Sequence, residues 1–484
     1  MTSSEYPELQ LYIGGEWRST DATLPVVNPA TEETIAGCPV ATAVDLDDAL
    51  AAAEAGFAIW SRTSPKERAD LIREASALMR ERKDEIAASI TLEHGKPFEQ
   101  AQLEVIRGCE FFEWDAGEAT RTYGRVIPSG PGVKYIVHHL PIGPVASFSP
   151  WNFPMSQPAR KVAGALASGC SIILKAAEET PAGAIHIAKA FHDVGLPPGA
   201  LNLVFGVPAD ISTHLIPSDI VNLVAFTGST AVGRLLTGLA SDHMTPVLME
   251  LGGHAPVIVC EDTDVEAAAL SSAVRKYRNA GQVCTSPTRF FVHQSIFEQF
   301  LDVFAKRAEG TVVGDGMSGR TGNPVEMGPL ANDRRITAMT EFVADATTVG
   351  AELVTGGKRI GSTGYFFEPT VLANVPDGAR VMQEEPFGPL AIINPVDSLD
   401  TAIEAANSVP YGLAAYGFTN RADYADRMVD RVEAGNLSIN TLEASLPETP
   451  FGGVKSSGYG REGGAEGLHH YTVVKNVSHS VEIV

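Results

Sequence analysis

The chain has 484 residues, which at roughly 150 residues per domain predicts about three domains. Hydrophobic residues make up 44% and charged residues 20% of the sequence, so a disordered, collagen-like or coiled-coil chain is excluded. The 36 basic and 59 acidic side chains give a net charge of −23. Because a surface of that sign repels phosphate backbones, we do not expect a nucleic-acid partner.

Cysteine usage and hydropathy indicate the compartment. The five cysteines include no CxxC pair, so neither a disulfide framework nor a structural zinc site is expected. The amino-terminal segment has no basic region followed by an apolar one, and the longest stretch without charged residues, 135–159, contains five prolines. We therefore expect neither a signal peptide nor contact with a membrane, and we interpret the chain as cytoplasmic and free of metal.

The first part of the chain predicts short strands followed by helices. Apolar residues at helical spacing predict a helix from about Asp45, a second from about Pro65 to Thr91, and a third from Pro97 to Ala119. From Val133 the pattern changes to extended segments interrupted by proline and glycine. These segments separate the amino-terminal helices from the rest of the chain.

Strand and helix patterns then alternate along the chain. The strand patterns are SIILK, ALNLVFG, NLVAFTG and APVIVC, and they predict a parallel sheet with helices on both faces. A second alternating region from Val292 to about Asn440 predicts a second α/β domain. The final segment, HHYTVVKNVSHSVEIV, alternates like a strand, and we expect it to pair with 133–140 in a separate small sheet.

Two strand ends carry residues suited to a nucleotide. In AFTGSTAVG a strand leads to Gly228 and Ser229 at a helix start, which suits a pyrophosphate but is also an ordinary N-cap turn. In SIILKAAEETP, Lys175 and Glu178 follow a buried strand, where ligands bind in doubly wound sheets. The carboxylate there either accepts both hydroxyl groups of an adenosine ribose or decorates the first turn of a helix. The segment 458–463 matches the pattern GxGxxG, but it follows no convincing strand and is interpreted as a glycine-rich turn.

Two further residues could carry covalent chemistry. Cys284, in NAGQVCTSPTRF, is either a small buried hydrophobe, as most lone cysteines are, or a nucleophile whose thiolate is stabilised locally. Glu250, in MELGGHAP, is either a surface residue at a strand edge or a general base with a raised pKa. Neither residue decides the function by itself.

Five motifs occur together, in the order WNFP (151–154), ELGG (250–253), GQVC (281–284), EPFGP (385–389) and PFGGVK (450–455). In combination they resemble the aldehyde dehydrogenase superfamily, and the resemblance covers essentially the whole chain. It implies an α/β fold of two parallel-sheet domains with a small β arm that builds a homodimer or homotetramer. The NAD-binding domain would span 1–122 and 141–252, the catalytic domain 253–465, and the oligomerisation arm 123–140 and 466–484.

The resemblance also implies roles for matching residues. Cys284 would be the nucleophile, Glu250 the base that activates water, and Asn152 with the backbone N–H of Cys284 the oxyanion hole. Glu462 matches an acidic position that some members use to relay protons, and His254 replaces a frequent lysine, for which we expect tuning rather than loss of activity. NAD, with NADP less favoured, would be held by Trp151, Lys175, Glu178, Gly228, Ser229, Leu251, Glu385 and Phe387.

Three residues narrow the substrate, a small-molecule aldehyde. Arg160, Arg278 and Ser445 match the positions where succinate-semialdehyde dehydrogenases hold the distal carboxylate, although both arginines could instead pair with surface acids. The favoured reaction is NAD-dependent oxidation of succinate semialdehyde to succinate through a cysteine thiohemiacetal and a thioester. Glutarate semialdehyde, 6-oxohexanoate and general aliphatic or aromatic aldehydes are alternative substrates. A catalytically silent binding or structural member and a cofactor-free cysteine hydrolase are alternative functions.

Overall fold

The computed structural model describes residues 6–481. Residues 1–5 and 482–484, which the predicted NAD-binding domain, oligomerisation arm and last strand include, lie outside the described residues. The α-helices within 6–481 are α1 Ala43–Trp60, α2 Pro65–Glu81, α3 Lys83–His94, α4 Phe98–Ala119, α5 Ser156–Ser168, α6 Ala182–Asp193, α7 Pro208–Leu215, α8 Thr230–Ser241, α9 Val265–Tyr277, α10 Phe297–Glu309, α11 Asp333–Thr348, α12 Arg380–Gln383, α13 Leu399–Asn407 and α14 Ala422–Arg431.

The strands in the same part of the chain are β1 Leu11–Ile13, β2 Glu16–Arg18, β3 Thr23–Val27, β4 Thr34–Pro39, β5 Arg125–Ile127, β6 Val133–Pro141, β7 Val145–Phe148, β8 Ile172–Lys175, β9 Leu201–Val204, β10 Leu223–Thr227, β11 Val247–Glu250, β12 Pro256–Val259, β13 Arg289–His293, β14 Glu352–Thr355, β15 Thr370–Ala373, β16 Leu390–Val396, β17 Ala414–Phe418, β18 Asn436–Ile439, β19 Gly458–Tyr459 and β20 Thr472–Ser480. Short 3₁₀ helices lie at Arg278–Gly281, Gln294–Ile296, Gly316–Thr321, Lys455–Ser457 and Gly467–Tyr471.

The first sheet has eight strands in the order β19-β11-β10-β7-β8-β9-β1-β2. Strands β11, β10, β7, β8 and β9 are parallel, and β7 to β10 are buried along their whole length, as helices covering both faces require. From β7 the chain builds outward first through β8 and β9 and then, on the other side, through β10 and β11. The order therefore reverses between β7 and β10, which is the switch point where open α/β sheets bind ligands.

The second sheet has seven strands in the order β14-β15-β16-β13-β12-β17-β18, all parallel except the antiparallel edge strand β14. The last strand, β20, pairs with β6 over the full register from Thr472 opposite Pro141 to Ser480 opposite Val133. The predicted pairing of the final segment with 133–140 is thus confirmed for the described residues. The predicted α/β class with two parallel sheets is confirmed as well, while the role of this small sheet in oligomerisation stays a prediction.

One predicted helix is divided in the structure. The periodicity predicts a single helix from Pro65 to Thr91, but α2 ends at Glu81. The next residue, Arg82, has a φ of −87° and a ψ of 12°, which interrupt the helix before α3 begins at Lys83. Helix α2 buries one face, whereas α3 is buried on every side over 86–91. Because apolar spacing continues across the break, the pattern along the chain does not show it.

Local signals account for several boundaries. Thr42 caps α1 and Ser64 caps α2, each in a capping box, and Pro65 occupies the first turn of α2. Within residues 6–481, no helix combines the length and the apolar character needed to cross a lipid bilayer. The same part of the chain contains no group of three or more His, Cys, Asp or Glu side chains that could hold a metal ion.

Candidate active site

The carboxyl ends of neighbouring parallel strands bring three predicted site segments together. Strand β7 leads to Trp151 and Asn152, β10 leads to Gly228 and Ser229, and β11 ends at Glu250. Register aligns these ends, because Thr227 lies opposite Glu250 and the N–H of Gly228 donates to the carbonyl of Glu250 at 3.0 Å. The segments therefore meet at the switch point of the first sheet.

The second sheet contributes residues that lie before the amino ends of its strands. Cys284 precedes the amino end of β13, and Glu385 and Phe387 precede the amino end of the neighbouring strand β16. Two cavities meet at Cys284 and Gln157, which line both of them. We call the cavity of about 430 Å³, which most of the predicted cofactor residues line, the cofactor-side cavity. We call the cavity of about 450 Å³, which Arg160, Arg278 and Ser445 line, the substrate-side cavity.

The loop before Cys284 has an unusual backbone. Asn279, Ala280 and Gly281 have φ values of 55°, 53° and 70°, in the left-handed region that only glycine adopts freely. The conformation is held from outside the loop, since Gln100 Oε1 accepts from the N–H of Asn279 at 3.0 Å. A side chain at position 281 would lie 2.1 Å from the carbonyl oxygen of Gly388, so glycine is required there.

Burial and charge keep the Cys284 thiol protonated in the ligand-free protein. Burial raises the pKa of this thiol to about 12, and the carboxylates of Glu385 and Glu250 add to the effect. Arg160 and the residue's own backbone N–H act in the opposite direction. Among the five free cysteines, Cys284 is the one that is half-exposed, and the other four are buried.

Asn152 and Glu250 lie on the cofactor side of the same point. Asn152 Nδ2 donates to the carbonyl of Gln282 at 3.1 Å, two residues before Cys284. Both carboxylate oxygens of Glu250 are buried, and neither has a hydrogen-bond partner in the described residues. Burial first, and then the neighbouring Glu462, raise the pKa of Glu250 well above its usual value. A carboxylate in this state suits proton transfer.

Most predicted cofactor residues line the cofactor-side cavity: Trp151, Gly228, Ser229, Leu251, Glu385 and Phe387. Burial raises the pKa of Glu385 to about 8, and the N–H of Gly253 donates to this carboxylate at 3.1 Å. Phe387, with a φ of 47°, stands perpendicular to the Trp151 ring at a centroid distance of 5.5 Å. Arg335 fixes that turn, because its guanidinium donates to the carbonyls of Pro386 and Phe387.

Lys175 and Glu178 do not line the cofactor-side cavity. They form an ion pair with each other at the carboxyl end of β8, the strand next to β7. The adjacent Glu179 binds Arg334 across 3.0 Å, and Arg334 does line the cavity. The predicted contact of Lys175 and Glu178 with the cofactor stays a prediction.

Arg160 lies in the wall of the substrate-side cavity and is 5% exposed. Its guanidinium carbon is 4.0 Å from the ring centroid of Phe111 and 4.8 Å from that of Phe451. Nη2 donates to Ser445 Oγ, whereas Nη1 is buried without a hydrogen-bond partner. The structure thus brings together Arg160 and Ser445, and it leaves the Nη1 group of the guanidinium without an acceptor in the described residues.

Arg278 lines the same cavity but has different neighbours. The charges that affect its pKa, which burial lowers to about 10, belong to Arg275, Glu443, Glu104 and Arg107. No carboxylate forms an ion pair with it within residues 6–481, and its guanidinium carbon lies 5.8 Å from the ring centroid of Phe153. The alternative in which both arginines pair with surface acids is therefore not what the structure shows.

A second layer of charge lies behind Glu250. Lys161 and Glu462 form an ion pair with exposures of 0% and 3%, and Glu462 Oε2 has no partner in the described chain. His254 lines neither of the two cavities that meet at Cys284. Its Nε2 donates to the carbonyl of Val381 at 3.0 Å, and burial lowers the pKa of this imidazole well below its usual value.

Several lining residues were not among the predicted ones. Gln157, Thr227 and Arg335 line the cofactor-side cavity, and Phe111 and Phe153 line the substrate-side cavity. Gln157 comes after Asn152 within the same loop and helix start, and Thr227 precedes Gly228, so proximity to a motif could have found both. Arg335 carries no such signal, because its partners lie about fifty residues away.

Comparison with known proteins agrees with this geometry. The model of the aldehyde dehydrogenase family matches residues 17–477. The chain is 45% identical over 469 residues to 4-(hydroxymethyl)benzenesulfonate dehydrogenase of Comamonas testosteroni, covering 96% of this chain and 97% of the relative. It is 39% identical to 3-sulfolactaldehyde dehydrogenase of Pseudomonas putida, covering 97% and 96%. It is 38% identical to succinate semialdehyde dehydrogenase of Acinetobacter baylyi, covering 96% of each chain.

Solved structures agree with the fold and the cofactor class. Succinate-semialdehyde dehydrogenase from Burkholderia pseudomallei has a TM-score of 0.95 and 40% identity over 99% of each chain. An aldehyde dehydrogenase of Bacillus cereus in complex with NAD⁺ has a TM-score of 0.95 and 34% identity, covering 98% and 97%. A 3,6-anhydro-L-galactose dehydrogenase in complex with NADP has a TM-score of 0.93 and 34% identity, covering 98% and 100%. The chain belongs to the aldehyde dehydrogenase family, and it is an oxidoreductase that oxidises an aldehyde with NAD(P).

Proposed function

We propose that the protein is a NAD-dependent dehydrogenase for aldehydes that carry an anionic group at their far end, with succinate semialdehyde as the favoured substrate. The observation that carries this proposal is the position of Arg160 in the wall of the cavity that ends at Cys284. Its buried Nη1 has no partner in the described residues, and a buried guanidinium donor left unpaired is costly unless a ligand completes it. A carboxylate on the substrate supplies the missing acceptor.

A sulfonated aromatic aldehyde is a second candidate, supported by the size and lining of the substrate-side cavity. Its volume of about 450 Å³ lies in the range of sites that bury drug-sized ligands. This volume is larger than a four-carbon oxo acid fills. Phe111, Phe153 and Phe451 line it, so an aromatic ring finds apolar partners there. A relative with 45% identity is named for a benzenesulfonate substrate. Sulfonate and carboxylate share the oxygen acceptors that a guanidinium recognises.

The acylation half of the mechanism uses Cys284 and Asn152. The thiol loses its proton to solvent in the cofactor-side cavity, and the sulfur then bonds to the aldehyde carbon as the carbonyl π electrons move to oxygen. The resulting oxyanion accepts hydrogen bonds from Asn152 Nδ2 and from the backbone N–H of Cys284. NAD, when bound, supplies the hydride acceptor that turns this adduct into a thioester.

The deacylation half uses Glu250. A water molecule attacks the thioester carbon while Glu250 takes its proton, and the C–S bond breaks to return the cysteine. The absence of any hydrogen-bond partner on either Glu250 oxygen within the described chain leaves both of them free to orient that water. The products are the carboxylic acid and the reduced cofactor.

The residues of the cofactor-side cavity fit a dinucleotide. Helix α8 presents its N-terminus with Gly228 and the capping Ser229, and a side chain at position 228 would lie 2.3 Å from the Phe226 ring. Arg334 and Arg335 line the same cavity, so guanidinium groups and free helix N–H groups are available to a pyrophosphate. Thr227 Oγ1 is buried there without a partner and can bond a ligand.

Alkylation of Cys284 tests its protonation state. Because the pKa of this thiol is about 12, its thiolate fraction in the ligand-free protein rises about tenfold per pH unit below that value. We expect the rate of iodoacetamide modification at Cys284, followed by peptide mass spectrometry, to rise in that proportion from pH 7 to pH 9. The four buried cysteines serve as the internal control, and a rate that is flat above pH 7 would contradict the assignment.

Two variants separate the halves of the reaction. Cys284→Ala should abolish aldehyde oxidation and leave cofactor affinity within a few-fold, because the residue contributes the covalent bond rather than cofactor binding. Glu250→Gln should produce a burst of reduced cofactor of one equivalent per site and then stall, because the hydride leaves before water attacks. Stopped-flow absorbance of the reduced nicotinamide measures both. Steady turnover in Glu250→Gln without a burst would remove Glu250 from the mechanism.

Glu178 is the basis of the proposed preference for NAD. The 2′-phosphate of NADP would add negative charge beside this carboxylate, and Coulomb repulsion at about 4 Å costs on the order of a few kcal/mol near a protein surface. Lys175, paired to Glu178, offsets part of that penalty, so we expect discrimination rather than exclusion. The ratio of kcat/KM for NAD over NADP should exceed one and fall at least about tenfold in Glu178→Gln.

Glu179→Gln is the matched control for this ratio, because Glu179 pairs with Arg334 instead of Lys175. A wild-type ratio at or below one, or an unchanged ratio in Glu178→Gln, would refute the assignment.

The arginines are tested by the substrate ratio. Arg160→Met and Arg278→Met each remove a charge-assisted contact, which is typically worth about 1.5–3 kcal/mol, or roughly 10- to 150-fold in affinity. The ratio of kcat/KM for succinate semialdehyde over butanal should therefore fall about tenfold or more in each variant. Arg275→Met is the control, because Arg275 lines the same cavity but is paired with Glu443 at 3.3 Å.

The same variants decide between the two anions when 4-formylbenzenesulfonate is compared with benzaldehyde. The pair of substrates with the larger wild-type ratio identifies the preferred anion. If the wild type prefers both neutral aldehydes, or if neither ratio falls in the variants, the arginines bind no substrate anion and the protein is a general aldehyde dehydrogenase.

A further inference from the structure

Lys96 and Glu104 form an ion pair in which each side chain is 1% exposed. Lys96 lies between α3 and α4, and Glu104 lies within α4, so neither residue belongs to a motif of the reaction. Burying two charges is costly unless further hydrogen bonds satisfy them. Burial lowers the pKa of Lys96, while Glu104 opposes that change. The further hydrogen bonds that Lys96 and Glu104 make, apart from the bond to each other, therefore indicate the role of the pair.

All of these hydrogen bonds are directed at the segment 152–156, which joins β7 to α5. Lys96 Nζ donates to the backbone carbonyl of Asn152 at 2.9 Å. Glu104 Oε1 accepts from the N–H groups of Met155 at 2.8 Å and Ser156 at 3.2 Å, which open helix α5. The ion pair thus holds both ends of a five-residue segment, and one of those ends is the backbone of Asn152.

Asn152 is also held by the segment that precedes Cys284, through both its backbone carbonyl and its side chain. Asn279 Nδ2 donates to the carbonyl of Asn152 at 3.1 Å and to that of Gln282 at 3.2 Å. Asn152 Nδ2 donates to the same Gln282 carbonyl at 3.1 Å. An amide nitrogen carries two N–H groups, so one is used by Gln282 and the second is available beside Cys284. Its direction depends on where the Asn152 carbonyl is held.

We propose that Lys96 and Glu104 are positioning residues that orient the Asn152 amide toward the oxyanion formed at Cys284. The inference rests on the proposed role of Asn152 in the oxyanion hole. Oxyanion donors act only when they are preorganised, and a shift of about 1 Å can cost on the order of 10²-fold in rate. A buried charge pair holds its hydrogen-bond partners more rigidly than neutral groups, because each of its bonds is charge-assisted.

The first experiment measures acylation in Lys96→Met and in Glu104→Gln. Lys96→Met removes the donor to the Asn152 carbonyl, and Glu104→Gln keeps an oxygen for the α5 N–H groups while removing the charge. We expect the single-turnover burst of reduced cofactor to slow about 10- to 100-fold in Lys96→Met and by a smaller factor in Glu104→Gln. The substrate is whichever of succinate semialdehyde and butanal the unmodified enzyme turns over faster.

Two readouts separate positioning from a general structural defect. Iodoacetamide modification of Cys284 is a displacement at carbon that develops no oxyanion, so its rate should stay within about twofold, as should the affinity for NAD. Glu113→Gln is the matched control, because Glu113 lies on the same helix α4 and pairs with Arg80 at 2.6 Å, away from the site. It should leave the burst unchanged.

The decisive step is a double-mutant cycle with Asn152→Ala. If Lys96 acts through the Asn152 amide, Lys96→Met should slow the burst less than about twofold when the amide is already absent. An equal loss in both backgrounds would overturn the inference. So would a parallel loss of burst and alkylation, or an unchanged burst in Lys96→Met.

Failure of the inference is distinguishable from failure of the proposed mechanism. If Asn152→Ala alone leaves the burst unchanged, Asn152 is not an oxyanion donor, and both proposals fall. If Asn152→Ala slows the burst and Lys96→Met does not, only the positioning role falls. Should Lys96→Met not fold, Glu104→Gln in the same cycle decides by the same criteria.

Discussion

Both carboxylate oxygens of Glu250 are buried at the carboxyl end of β11 with no hydrogen-bond donor in the described residues. A donor at this point would stabilise the fold, since an unsatisfied buried acceptor typically costs about 1–3 kcal/mol. In the proposed mechanism it would also occupy the oxygen that takes a proton from water. The surrounding structure places charged groups near Glu250, but none of them forms a hydrogen bond with it in the described residues. Burial and then Glu462 raise the pKa of this carboxyl, while Lys161 and Arg160 lower it. The site therefore depends on a polar group left unsatisfied inside a well-packed sheet.

Two further segments near the site, the loop before Cys284 and the turn at Phe387, also adopt unfavourable local structure that the packed surroundings maintain. Left-handed φ values at Asn279, Ala280 and Phe387 each store local strain, typically about 1–3 kcal/mol per residue, and such strain persists only where the surroundings over-determine it. Asn279 is held by Gln100 and by the carbonyl of Asn152, and the turn at Phe387 is held by Arg335. These contacts join elements that are distant along the chain. The geometry around Cys284 is thus a property of the packed molecule rather than of its loop.

This division explains how far the sequence could predict the molecule. Alternating strand and helix patterns determine which residues fall at strand ends, so the parallel sheets and the meeting of Asn152, Ser229 and Glu250 result from local pattern and topology rules. The break of the predicted second helix at Arg82 cannot be predicted from such patterns, because apolar spacing continues through it. The contact of Lys96 with Asn152 cannot be predicted either, because a buried lysine has no periodic signature and its partner is 56 residues away. The prediction that Lys175 and Glu178 hold the cofactor rests on strand position and on the family resemblance, and the wall of the cofactor-side cavity does not include these two residues.

The net charge of the chain bears on the proposed binding of an anionic substrate. A net charge of −23 repels a carboxylate or a sulfonate at long range, but charges on the exposed surface are screened within about 10 Å at ordinary ionic strength. Inside the substrate-side cavity the effective dielectric constant is lower, so the few charges present decide the interaction. There the guanidinium of Arg160 packs against the rings of Phe111 and Phe451, Arg160 is 5% exposed, and its Nη1 has no hydrogen-bond partner in the described residues. For the proposed anionic substrate, local desolvation would thus let the guanidinium groups of Arg160 and Arg278 outweigh many screened acids, in the same cavity that Cys284 lines.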